Sequence, residues 1–138
     1  MIGIVLVGHC HLAHELHEIV KRIVGDVKNI CSVNIEPNDP PEESIRKVGA
    51  AIKSVDAGNG VLVLTDMFGG TPSNLSLSFL ADNKVEVLTG MNLPMIIRLV
   101  THGRESKSLA DVAQELKLYG QQNICIASEI LHAHMQQK

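Results

Sequence analysis

Seven histidines stand in this 138-residue chain. Four of them, His9, His11, His14 and His17, crowd into one short stretch, with Cys10 between the first two. Imidazole can ligate a metal, move a proton or act as a nucleophile, and the partner of its second nitrogen decides which. The other chemistry-bearing stretch is Asp66-Met67-Phe68-Gly69-Gly70-Thr71-Pro72-Ser73-Asn74. It offers a carboxylate, a glycine pair and a hydroxyl. A histidine that donates one nitrogen to a carboxylate is held in a single tautomer with the other nitrogen free to attack. The carboxylate then also stabilises positive charge building on the ring. Asp66 beside His9 would have that use; the plainer alternative is a histidine packed at a strand end and an aspartate in a turn.

The elements around these residues decide whether the two can meet. Four short apolar runs, Ile2–Val7, Ile30–Ile35, Val61–Leu64 and Val85–Leu88, are bounded by turn residues. Runs this continuous suit strands buried on both faces, as in a parallel sheet covered by helices. Helical patterns lie between them. Leu12, Leu16, Ile19, Val20 and Ile23 form a stripe closed by Gly25, with His14 and His17 opposite. Pro40-Pro41-Glu42-Glu43 starts a second helix, and Pro72–Ala81 is a third. Asn92-Leu93-Pro94 opens a fourth and Ser108-Leu109-Ala110-Asp111 a fifth. Asn123–Ala127 reads as one last strand before a short tail.

The alternation predicts a doubly wound, mainly parallel α/β sheet with helices on both faces. The whole chain, 1–138, reads as one domain, a length that buries an ordinary core without staples. In such sheets ligands bind beyond the carboxyl ends of the strands, where strand order reverses. The common order 2-1-3-4 makes the first and third strands neighbours about 4.8 Å apart. His9 leaves the end of one and Asp66 the end of the other, so this order brings them within hydrogen-bonding reach.

Composition removes several classes of function. With 45% hydrophobic and 20% charged residues, the chain is neither disordered nor fibrous. No Trp, one Tyr and two Phe leave few stacking platforms for single-stranded nucleic acid. A net charge of −3 without a basic patch argues against nucleic acid and anionic membrane as partners. Three cysteines, Cys10, Cys31 and Cys125, have no paired spacing, which implies a reducing compartment and a cytoplasmic protein.

Gly69-Gly70 leading into a helix with Pro72 early lets backbone N–H groups converge on an anion, with Thr71 adding a hydroxyl. Taken alone, the same residues also describe a glycine turn capped by Thr71. No Gly-Lys-Ser/Thr follows, so this is not a nucleotide-binding phosphate loop. Together with His9 and Asp66 at one sheet edge, they describe a site for a phosphoryl group. A response-regulator receiver would also end its third strand in Asp, but it needs further acids near the end of the first strand to hold Mg²⁺. Here that strand ends in Gly8-His9-Cys10-His11.

Three segments carry a family resemblance: Ile4-Val5-Leu6-Val7-Gly8-His9-Cys10-His11-Leu12-Ala13, Leu64-Thr65-Asp66-Met67-Phe68-Gly69-Gly70-Thr71-Pro72-Ser73-Asn74, and Leu88-Thr89-Gly90-Met91-Asn92-Leu93-Pro94-Met95. In this order they resemble the mannose-family (mannose/fructose/sorbose) enzyme IIA component of the bacterial sugar phosphotransferase system, over nearly the whole chain. The resemblance implies a phosphohistidine carrier. His9 would accept a phosphoryl group from the phosphocarrier HPr and pass it to a IIB component, with Asp66 as the supporting carboxylate. Gly69, Gly70 and Thr71 would surround the phosphoryl group, and Cys10, Phe68 and Asn92 would contact partners. It also implies a homodimer in which Asn123–Ala127 pairs with the partner's sheet, no metal or organic cofactor, and membrane contact only through the IIC/IID permease. Family members usually carry Ser or Thr before the histidine and Gly after it, where this chain has Gly8 and Cys10.

The remaining histidines read as bystanders. His14 and His17 face away from the apolar stripe, and His102, His132 and His134 read as surface residues. The second reading is a regulatory or metal-binding module on the same fold, using the modified Gly8–His11 loop.

Overall fold

The computed structural model describes residues 1–105 and 107–136. Its elements run β1 (Gly3–His9), α1 (Leu12–Val24), β2 (Ile30–Ile35), α2 (Pro41–Val55), β3 (Val61–Thr65), α3 (Thr71–Leu77), β4 (Val85–Thr89), α4 (Leu93–His102), α5 (Leu109–Gln122) and α6 (Ala127–Gln136). The four strands form one parallel sheet in the order β2-β1-β3-β4, the 2-1-3-4 order expected.

Alternation along each strand divides the core between the two faces of the sheet. Ile4, Leu6, Leu62 and Leu64 face one side and pack against Ala13 and Val20 of α1, Ile96 and Leu99 of α4, and Val112 and Leu116 of α5. Val5, Val7, Val61 and Val63 face the other side, covered by Val48, Ile52 and Val55 of α2. The interior is almost wholly aliphatic, and each side chain buried completely stabilises the fold by about 1.5–3 kcal/mol. Polar ends complete the helices. Asn92 accepts from the Met95 N–H at 2.9 Å to start α4, and Ser108 accepts from the Asp111 N–H at 3.1 Å to start α5.

Three expectations need correction. The core face of α1 holds Ala13, Val20 and the partly buried Leu16 and Val24, while Leu12, Ile19 and Ile23 stay largely exposed at its flank. A helix lying on one sheet buries a narrower stripe than its sequence offers. Helix α3 stops at Leu77 rather than Ala81. Its last turns tighten, with Phe79 N–H bonded to Ser76 O and Leu80 N–H to Leu77 O, and the Ser78 hydroxyl takes the Leu75 carbonyl at 2.8 Å. Ala81 then bridges to Val85 at the start of β4.

The third correction concerns Asn123–Ala127, which forms no strand. Asn123 caps α5, its N–H and side chain both bonding the Tyr119 carbonyl. Ile124–Ile126 then links α5 to α6 without a ladder to any strand of its own chain. The β-branched pattern needs a neighbouring strand to satisfy its backbone, and among the described residues none runs alongside. From Ala127 onward Ala, Glu, Leu, Met and Gln favour helix.

Candidate functional site

The register of the sheet sets the geometry. Val7 of β1 pairs with Thr65 of β3, so the next residues of each chain segment leave the same edge side by side. Residues 57 apart in sequence therefore meet: His9 Nδ1 lies 2.7 Å from Asp66 Oδ2. The His9 backbone N–H donates to the same oxygen at 2.8 Å, and the Met67 N–H donates to Oδ1 at 2.9 Å. Burial pushes the Asp66 carboxyl up, but the His9 N–H, the His9 ring and the Met67 N–H together outweigh it and hold the group below its ordinary value.

An ionised carboxylate can only accept, so Nδ1 of His9 carries the proton and Nε2 presents its lone pair. The Asp66 side chain is 11% exposed and that of His9 45%: the carboxylate is sheltered while the imidazole is half-exposed. His9 lines a cleft of about 300 Å³ with Cys10, Ile35, Glu36, Asp39 and Thr71.

The loop after Asp66 packs on that ring. Gly69 has φ +85°, a left-handed conformation that favours glycine. A Cβ on Gly70 would stand 2.7 Å from Cε1 and 3.1 Å from Nε2 of His9, so only glycine leaves room for the imidazole. Thr71 opens α3, where the first N–H groups of a helix have no intrahelical acceptor. Sequence spacing alone did not reveal the Gly70–His9 contact; the glycine pair was its only signal.

Cys10 has φ +52° and its N–H bonds Ile35 O at 2.9 Å, extending the pairing of β1 and β2 by one residue. The backbone here demands the conformation that glycine adopts most cheaply. His11 is held differently from His9. Its Nε2 lies 3.2 Å from Glu36 Oε1, and its Nδ1 makes a long 3.5 Å contact with Asn34 Nδ2. Both ring nitrogens of His11 face partners, whereas His9 keeps one open.

Phe68 is 72% exposed and lines a neighbouring groove with Leu77, Leu88, Met95 and Ile124. Asn92 lies beside that groove, half-buried, capping α4 and donating to Gly120 O at 3.3 Å. Among the described residues no three His, Cys, Asp or Glu side chains converge as metal ligands would. His14 and His17 sit on α1, away from the cleft of His9.

A doubly wound α/β domain with a carboxylate-oriented histidine at its carboxyl edge is one class of scaffold for group transfer. Comparison with known proteins narrows it. Residues 3–117 match the family described as PTS system fructose IIA component. The chain is 32% identical over 132 residues to the PTS system fructose-specific EIIA component of Bacillus subtilis (strain 168), covering 95% of this chain and 90% of that protein. It is 30% identical over 116 residues to the sorbose-specific EIIA component of Lacticaseibacillus casei, covering 83% of each. The mannose/sorbose specific IIA subunit from Enterococcus faecalis superposes with a TM-score of 0.80 at 28% identity, covering 91% of this chain and 93% of that one. The chain belongs to the mannose family of enzyme IIA components, which are phosphotransferase components of the sugar phosphotransferase system.

Proposed function

We propose that residues 1–138 work as one cytoplasmic phosphohistidine-carrier domain, with His9 accepting a phosphoryl group from HPr and passing it to a IIB component for sugar uptake or its regulation. One observation carries this reading: Asp66 occupies Nδ1 of His9 at 2.7 Å, on a side chain 45% exposed whose Nε2 has no hydrogen-bond partner among the described residues. The Nε2 lone pair attacks phosphorus and a P–N bond forms. The donor's bond to phosphorus breaks, and its electron pair leaves with the donor. Nδ1 keeps its proton, and Asp66 offsets the positive charge on the ring.

In this reading Gly69, Gly70 and Thr71 surround the phosphoryl group through backbone N–H groups and the Thr71 hydroxyl. Cys10 and Phe68 meet the protein partners from the exposed rim, and Asn92 adds to that surface beside the Phe68 groove. The transfer asks for no metal or organic cofactor. No helix among the described residues is long and apolar enough to cross a membrane, which fits a carrier that meets the membrane only through the IIC/IID permease. Exposed Ile124, Ile126, Leu131 and Met135 near the chain's end support a homodimer in which this segment finds a second copy.

Incubation with phosphoenolpyruvate, enzyme I and HPr tests the assignment. Label is expected on His9, lost in His9→Ala and kept in His11→Ala. Unchanged label in His9→Ala would overturn it. Absence of label together with zinc retained stoichiometrically through dialysis would instead favour a binding module built on the Gly8–His11 loop.

A further inference from the structure

We propose that His11 is a positioning residue that holds the Glu36 carboxylate away from Nε2 of His9. The inference rests on His9 being the phosphoryl acceptor.

Glu36 and Asp39 stand in the wall of the cleft that His9 and Thr71 line. A phosphoryl group carries nearly two negative charges, so carboxylates in that wall oppose its arrival. Asp39 is already engaged: its Oδ2 accepts the Glu36 backbone N–H at 3.0 Å and lies 3.6 Å from Lys47 Nζ. For the Glu36 carboxylate the side-chain partner among the described residues is His11, 3.2 Å from Nε2 to Oε1. The side chains are 73% and 41% exposed, so the pair adds little to stability. Its effect is on where a charge points.

The neighbours of His11 favour this orientation. Asn34 Oδ1 accepts the His14 N–H at 3.3 Å, which ties the amide to the first turn of α1 and turns Nδ2 toward His11 Nδ1. With Nδ1 facing an N–H donor, the proton sits on Nε2 and is donated to Glu36. The His11 carbonyl accepts the Glu15 N–H at 3.0 Å, anchoring the residue to the helix it precedes. Without His11 the Glu36 side chain is free to turn into the cleft. There its charge repels the incoming group, and it competes for Nε2 of His9 as a hydrogen-bond acceptor, favouring the ring form that has no lone pair.

The test uses the full chain with HPr as donor, comparing wild type, His11→Ala, His11→Gln, Glu36→Gln and the double variant His11→Ala/Glu36→Gln. Loss of the imidazole is expected to lower kcat/KM about three- to tenfold at low salt, the size of one carboxylate turned into the cleft. That loss shrinks as ionic strength rises. Glu36→Gln transfers at least as fast as wild type, and the double variant returns to that rate. His11→Gln, which still donates to Glu36, stays close to wild type.

A second measurement needs no transfer. The ¹⁵N signal of His9 Nε2 in unphosphorylated protein is expected to move in His11→Ala and return in the double variant. Equal losses in both single variants without rescue would make the pair a structural latch and overturn the proposal, as would an unaffected His11→Ala. If wild type takes no label from HPr, the carrier reading fails, and the NMR comparison alone decides where Glu36 points.

Discussion

Gly70 stands close against the imidazole of His9, with space for no Cβ between them: one would stand 2.7 Å from Cε1. Gly70 itself has φ −83° and ψ 166°, which alanine adopts without strain. Gly70→Ala is therefore expected to spare the fold, changing stability by less than about 1 kcal/mol. It displaces the ring from Asp66 and lowers phosphoryl transfer by roughly tenfold or more, since a misplacement of about 1 Å can cost about a hundredfold. Labelling rates and a thermal melt of the same preparation check both halves; wild-type transfer would show that the contact does not matter.

Asp66→Asn keeps the size of the side chain but removes its charge. Transfer is expected to fall about a hundredfold while the protein stays folded. The same substitution has a signature in acid. Because the folded protein holds the Asp66 carboxyl below its ordinary value, its share of stability is present above about pH 4. It is lost as pH falls through the lowered value. Urea midpoints of wild type and variant should therefore converge as the solution is acidified, and parallel curves would contradict the assigned hydrogen bonds.

Cys10 pays for a left-handed backbone at φ +52°. The strain costs about 1–2 kcal/mol, of which glycine's extra freedom in the unfolded chain returns about half. Cys10→Gly is expected to stabilise the protein by about 0.5–1 kcal/mol, or a rise of about 2–4 °C in Tm. Cys10→Ala should show no such gain. Calorimetry on the three proteins separates relief of backbone strain from loss of the thiol.

Ile124 is 80% exposed and Ile126 64%, in a link with no strand beside it among the described residues. If a second copy covers them, the pair Ile124→Asp and Ile126→Asp introduces two charges into that contact. Sedimentation velocity should then show a dimer for wild type and a monomer for the variant, with the circular dichroism of the domain unchanged. A wild-type monomer at tens of micromolar would remove the dimer from the proposed function.

The sheet was legible because Ile2–Val7 and Val61–Leu64 are uninterrupted aliphatic runs, and because alternation with helices leaves few topologies. The His9–Asp66 meeting followed from strand order alone. The end of α3 was not legible, since serine hydroxyls at Ser76 and Ser78 take carbonyls locally and tighten the turn. Ile124–Ile126 forms no strand within its own chain for a different reason: β-branched residues specify a strand only where a neighbour exists to pair with them. The contacts of Gly70 with His9 and of Glu36 with His11 join separate loops, so no local pattern encodes them.

Asp66 takes up Nδ1 of His9 and leaves the ring a single doorway. Whatever delivers to Nε2 must withdraw before whatever collects from it can enter. In the proposed reaction the donor and acceptor proteins thus never meet across this domain. Traffic through it is strictly alternate, and the loaded ring has to survive alone between visits.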